Sequence, residues 1–311
     1  MSCVVEQRPL GRSGLTVSSV ALGTAALALP YGPPGGERPP PARAAAVRVI
    51  AAALDRGVTF VDTAPGYADA EAIVGEAVGS RECVIATKVA PPPGGWQALG
   101  TEGLRDHVQR SVENSLRRLG RERVELLQAH NATRGAIAGG ILGEALAAIR
   151  SAQRAVAIGV TVYDVEEAAA AIDAAWIDVV QVPYSPLDHR SEPLLDAAAA
   201  TGTAVIARSV LLRGVLSPAA QSLTGTLEPL GRAADLFRRT VGASWEELPA
   251  AALGTVLAER RIASVLIGPR DVDELDALLD GAARWIDRPA PASPGLPETL
   301  LDPRRWGSIS A

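Results

Sequence analysis

The sequence predicts an α/β fold, a (β/α)8 TIM barrel that takes up residues 1–311 as a single domain. Three observations predict it: eight short β-branched apolar runs, alanine-rich amphipathic stretches between them, and no Gly/Ser-rich linker dividing the series. The runs are almost continuously apolar, as strands of a parallel sheet buried on both faces must be. No Gly-x-Gly-x-x-Gly follows the first run, which argues against an open dinucleotide-binding sheet.

Residues 7–18, QRPLGRSGLTVS, read as a hairpin turning at Arg12-Ser13-Gly14, placed to close the bottom of the barrel. The first barrel strand is SVALGT (19–24), followed by a Pro/Gly loop, LPYGPPGGERPPPAR, on the catalytic side. VTFVDT (58–63) and CVIATKV (83–89) follow; between them Ile73, Val74, Ala77 and Val78 share one helical face behind Asp69 as N-cap. The remaining strands are VELLQAH (124–130), AVAIGVT (155–161), DVVQVPY (178–184), AVIARSV (204–210) and SVLIGPR (264–270). After the last, Asp271 caps a helix whose Val272, Leu275, Leu278 and Leu279 face the core. The tail, 284–311, reads as proline-rich ordered coil laid over the catalytic face.

Composition narrows the function classes. A net charge of −5, with no basic run longer than a pair such as Arg117-Arg118, does not suit a nucleic-acid partner. The start MSCVVEQRPLGRSG lacks the apolar core of a signal peptide. No run stays uncharged for the roughly 20 residues of a membrane span. A cytoplasmic protein without a membrane partner is expected. Cys3 and Cys83 are too few and too far apart for a zinc site, and Cys83 reads as an ordinary buried thiol. Among 30 basic residues only Lys88 is lysine. GC-rich coding bias accounts for the arginines but not for the position of that one lysine.

In a barrel of this kind the chemistry collects at the C-terminal ends of the strands. There the runs end in Asp62, Lys88, His130, Thr161, Gln181, Arg208-Ser209 and Arg270, with Tyr67 on the loop after Asp62. Each alone has a structural explanation, but Asp62, Lys88 and His130 on successive strands must share one mouth. A phenol with an ordinary pKa of about 10 is a poor proton donor at neutral pH, and a neighbouring ammonium lowers that pKa. Asp62 can hold Lys88 charged, and His130 can hydrogen-bond a substrate oxygen. An arginine in place of Lys88 would aim a larger, more diffuse cation.

These residues resemble the aldo-keto reductase family. The likeness runs from RPLGRSGLTVSSVALGT through FVDTAPGYADAEAIVGEAV, IATK, SLRRLGRERVELLQAH, AIGVTVY, VVQVPYSPLD and RSVLLRGVL to LIGPRDVDELDALL. The resemblance implies NADPH-dependent reduction of a small-molecule aldehyde or ketone, sugar-like or a biosynthetic intermediate. Tyr67 would be the proton donor, Asp62 and Lys88 its tuning pair, and His130 the carbonyl-orienting group. It further implies that Gly23, Thr24, Asp62, Thr161 and Gln181 surround the nicotinamide. Arg208 would stack on that ring, Ser209, Val210, Leu211 and Gly214 would receive the pyrophosphate, and Gly268, Arg270 and Glu274 would meet the adenosine. Val162 stands where many members carry asparagine. Glu274 and Leu278 replace polar residues common near the adenine, and an inward Glu274 would repel a 2′-phosphate, so NADH stays open as cofactor. Tyr31, Trp96, Asn131 and Trp306 are the expected substrate walls, with loop anchoring as the alternative for Tyr31, Trp96 and Trp306. Two other functions fit the same mouth: a Schiff-base lyase acting through Lys88, and a nicotinamide-binding redox sensor without turnover.

Overall fold

The computed structural model describes residues 4–288 and 291–306; Cys3 and residues 289–290 and 307–311 of the tail lie outside the described residues. Strands β1 (Gln7–Pro9) and β2 (Thr16–Ser18) form the antiparallel hairpin, turning through a 3-10 segment at Gly11–Ser13 with Gly14 left-handed at φ 76°. Eight parallel strands then close into a barrel: β3 (Val20–Gly23), β4 (Phe60–Asp62), β5 (Val84–Val89), β6 (Val124–Ala129), β7 (Ala155–Thr161), β8 (Val179–Pro183), β9 (Ala204–Arg208) and β10 (Ile262–Ile267), with β10 paired back onto β3. These are the eight apolar runs of the sequence: β7 coincides with its run, β10 begins two residues before its run and ends within it, and the other six are shorter than theirs.

Leu10 and Val17 of the hairpin join Ala21, Phe60, Leu126, Val179 and Ile206 in the barrel interior, so the hairpin plugs the bottom with side chains the alternating pattern supplies. At Gly159 in β7 an added Cβ would collide with the Val179 carbonyl oxygen, so only glycine lets β7 and β8 approach this closely.

The helices surround the strands: α1 (Ala25–Ala28), α2 (Arg43–Asp55), α3 (Ala70–Val78), α4 (Thr101–Leu119), α5 (Arg134–Ala138), α6 (Ile141–Ser151), α7 (Val165–Asp173), α8 (Leu195–Thr201), α9 (Glu228–Val241), α10 (Leu248–Leu257), α11 (Val272–Ala282) and α12 (Glu298–Leu301). Ile73, Val74 and Val78 of α3 and Leu275, Leu278 and Leu279 of α11 are buried on the face their spacing requires. Asp271 accepts the Glu274 N–H at 2.8 Å and caps α11; Asp69 occupies the N-cap position of α3 without a side-chain bond. Among the described residues no helix is long and apolar enough to cross a membrane.

The tail departs from the coil expectation. It contains α12 and a 3-10 turn at Pro303–Arg305, and Leu300, Leu301 and Trp306 are buried in a second apolar cluster with α9, α10 and Trp285. Apolar side chains at i, i+1 and i+6 carry too little periodicity for a helix to be read from them. Docking onto α9 and α10 supplies what local sequence does not.

Candidate active site

Register brings the polar strand ends into one layer at the top of the barrel. Asp62 pairs with Gly23 and Ala86 across its two neighbours, Lys88 with Gln128, and Thr161 with Gln181. Lys88, fully enclosed at 0% side-chain exposure, donates from Nζ to Asp62 Oδ1 at 2.6 Å and to the Thr63 carbonyl at 2.9 Å. Asp62 Oδ2 accepts from Gln181 Nε2 at 3.0 Å and from Gln128 Nε2 at 3.4 Å. Thr24 donates both its backbone N–H and its hydroxyl to the Asp62 carbonyl, so the first two barrel strands lock the aspartate from behind. Gln128 was missing from the sequence reading, because a glutamine inside an apolar strand says nothing about which neighbour it meets. Its Oε1 and the Thr63 hydroxyl are buried without a partner.

Tyr67 lies over this layer, with Lys88 Nζ 5.2 Å from its ring centroid and His130 edge-on at 6.0 Å between centroids. Burial raises the Tyr67 pKa above its ordinary value, and Lys88 pulls it down. The ammonium therefore acts in the expected direction, but the net shift is upward because desolvation of the phenolate outweighs it. The phenol stays protonated at neutral pH. Burial also works against the Lys88 ammonium, yet Asp62 and then Tyr67 carry its pKa above the usual lysine value. His130 is pushed down to about 3 by burial, then by Lys88 and Arg208, so its imidazole is neutral and keeps one N–H to donate. The backbone N–H of Asn131, left-handed at φ 54°, donates to Thr161 Oγ1 at 2.8 Å and fixes the turn just after His130.

The remaining expected residues divide into two groups. Tyr31, Ser209, Val210, Leu211, Gly214, Gly268, Arg270 and Glu274 line one cavity of about 520 Å³. Its floor loop holds three non-glycine residues with left-handed backbone, Ser209 (φ 61°), Leu212 (φ 44°) and Arg213 (φ 51°). Left-handed backbone is costly for non-glycine residues, so the surrounding structure must hold this loop in place. Arg213 packs on Tyr31 at 5.0 Å, and its Nε is buried with no partner. The Pro/Gly loop crosses the cavity through a bridge between Tyr31 and Arg38. There Glu274 is not the bare repulsive charge expected of it, because Oε1 accepts from Arg38 at 2.6 Å and Oε2 from the Arg270 N–H at 2.9 Å. The Arg270 guanidinium donates to the Arg38 and Pro39 carbonyls. Arg38 is a cavity residue the sequence did not single out, since nothing in a Pro/Gly loop tells where a long side chain lands.

Of the two readings of Trp96 and Trp306, substrate wall and loop anchor, their burial matches the anchor. Trp96 is 4% exposed and donates from Nε1 toward the His130 and Asn131 carbonyls, and Trp306 is 1% exposed with Nε1 on the Leu300 carbonyl. Both indoles are packed as anchors for loops that border the mouth. Arg208 also has a fixed place. It donates to the Val162 carbonyl at 2.7 Å and to Ser209 Oγ at 3.1 Å, and lies 3.8 Å from the Tyr163 ring centroid.

Comparison with known proteins follows the same lines. A family model described as the Aldo/keto reductase family matches residues 19–282. The chain is 28% identical to a pyridoxal 4-dehydrogenase of Microbacterium luteolum, over 87% of this chain and 91% of that one. It is 25% identical to an L-galactose dehydrogenase of Arabidopsis thaliana, over 88% and 86% of the two chains. In fold it is similar to the holo form of the aldo-keto reductase AKR11C1 from Bacillus halodurans, with a TM-score of 0.73 at 22% identity and coverage of 98% and 96%. With the family matched across the whole barrel, the chain is an oxidoreductase belonging to the aldo/keto reductase family.

Proposed function

We propose that this protein reduces an aldehyde or ketone to an alcohol with NADPH, Tyr67 giving its proton to the carbonyl oxygen. The observation that carries the reading is the protonated Tyr67 held above a buried Lys88–Asp62 pair and beside a neutral His130. His130 orients the carbonyl oxygen by donating a hydrogen bond. As the proton leaves Tyr67, the adjacent ammonium stabilises the phenolate that forms, and Asp62 keeps that ammonium charged and aimed. Lys88→Arg would break the arrangement, because a guanidinium does not fit a site with 0% exposure cut to one Nζ.

The residues fit a nicotinamide dinucleotide. The cavity is lined by Tyr31, by Arg213 with its orphaned Nε, and by Arg38 and Arg270. When bound, the reduced nicotinamide supplies the hydride. Gly23, Thr24, Thr161 and Gln181 would border its ring; Gln181 has committed its Nε2 to Asp62, so its Oε1 is the group left for the carboxamide. Ser209, Val210, Leu211, Arg213 and Gly214 would hold the pyrophosphate. Arg38 and Arg270 favour NADPH over NADH, and Arg38 pairs with Glu274, a cavity carboxylate that would otherwise oppose a phosphate.

The lyase alternative loses its nucleophile: Schiff-base chemistry needs a neutral, accessible amine, and the Lys88 amine is enclosed, ion-paired and held charged. Turnover of 4-nitrobenzaldehyde, followed at the NADPH absorbance, tests the proposal against both lyase and sensor. Activity that persists in Tyr67→Phe, or none with either nicotinamide, would overturn it.

A further inference from the structure

Beyond the Lys88–Asp62 pair, and besides Arg38 and Arg270 of the cavity, three arginines pack on tyrosines: Arg208 and Arg304 on Tyr163, and Arg213 on Tyr31. Arg213 borders the dinucleotide cavity, where phosphates would satisfy it. Arg208 and Arg304 share a different surface. Their guanidinium carbons lie 3.8 Å and 3.4 Å from the centroid of the Tyr163 ring. Two guanidinium carbons this near one centroid can only occupy opposite faces, so Tyr163 is clamped between them. One comes from the end of β9 and the other from the tail.

Like charges are not brought this close without compensation, and the compensation is incomplete. Arg304 donates to both oxygens of Asp302, at 3.0 and 2.8 Å, and Arg305 also reaches that carboxylate at 3.4 Å. Arg208 bonds only neutral oxygens, and among the described residues no carboxylate pairs with it. Its charge is nonetheless felt at the reacting groups, where it depresses His130 and pulls Tyr67 downward against burial. A nicotinamide ring, which turns cationic on oxidation, cannot balance it. An anion arriving with the substrate can.

Building on the reductase reading, we infer that the natural substrate is a carbonyl compound bearing an anionic group, a carboxylate or a phosphate monoester. The carbonyl meets Tyr67 and His130 while the anion is received by the guanidiniums of Arg208 and Arg304 on Tyr163. Guanidinium forks match both anions in geometry, and such charge-assisted bonds are stronger than neutral ones. The tail thereby becomes a determinant of specificity, since it carries Arg304 to the mouth.

The test compares 4-carboxybenzaldehyde with its methyl ester, and 4-formylphenyl phosphate with 4-methoxybenzaldehyde. Dissociation constants are measured by calorimetry with saturating NADP+, and turnover separately with NADPH. The wild type should bind at least one anionic member about ten-fold tighter than its uncharged partner. The pair that responds identifies the anion. In Arg304→Gln that preference should shrink to about two-fold, in Arg304→Lys it should be partly kept, and in Arg305→Gln, which pairs with Asp302, it should persist. Equal affinities within both pairs, or a preference that survives Arg304→Gln, would overturn the inference. Turnover of the uncharged aldehydes judges the reductase reading separately, because the binding ratio is read whether or not reduction occurs.

Discussion

Replacing Lys88 with methionine tests the physical centre of the site, because its cost follows from burial. The Lys88 and Asp62 side chains are 0% and 4% exposed, joined at 2.6 Å. Losing the ammonium leaves a buried carboxylate held only by the Gln181 amide at 3.0 Å and the weaker Gln128 contact at 3.4 Å. Breaking a buried pair from one side costs about 3–5 kcal/mol. With an unfolding entropy of about 2.1 cal/mol/K per residue, a chain of 311 residues converts this to a fall of roughly 5–8 °C in Tm. Thermal unfolding followed by circular dichroism reads it. The double variant Asp62→Asn/Lys88→Met removes both charges, and the neutral amide can still meet Gln181 and Gln128, so most of the stability should return. Reductase activity should not return, since Tyr67 would still lack its ammonium. A Tm within about 2 °C of wild type for the single variant, or a double variant no more stable than the single, would refute the reasoning.

Other outcomes follow from the same geometry. Tyr67→Phe should keep NADPH affinity, measured by fluorescence titration, while losing about 10²–10⁴-fold in kcat. His130 is held at about 3 against an ordinary 6.5. The unfolded chain therefore takes up a proton there that the folded chain refuses, and this contribution to stability is complete above about pH 6.5 and lost progressively as pH falls toward 3. His130→Gln should flatten the stability–pH curve in that window by up to about 1.4 kcal/mol per pH unit; an unchanged slope in urea titrations would contradict it. Arg208→Ala should narrow the ratio of NADP+ to NADPH dissociation constants, because the cation beside the ring disfavours its oxidised form, and equal ratios in variant and wild type would end that idea. Arg38→Ala should reduce the preference for NADPH over NADH, read as the ratio of kcat/KM values, by freeing Glu274 as well as removing a cation.

What the sequence determined by itself was the repeat and, through it, the polar layer at the barrel mouth. Eight apolar runs alternating with amphipathic stretches leave little but a barrel, and polar residues ending successive strands of a barrel must meet at its mouth. Asp62, Lys88 and His130 were legible for that reason, and Tyr67 was legible because it follows Asp62 on a short loop. Local periodicity carries no information about where loops and tail cross, or about which buried effect prevails. Only the tertiary structure seated Trp96 and Trp306 as packed anchors, neutralised Glu274 with Arg38, and brought Arg304 of the tail against Tyr163 after β7. It also set the net direction at Tyr67, where the ammonium was visible in the sequence but the enclosure that outweighs it arises only when distant segments close around the phenol.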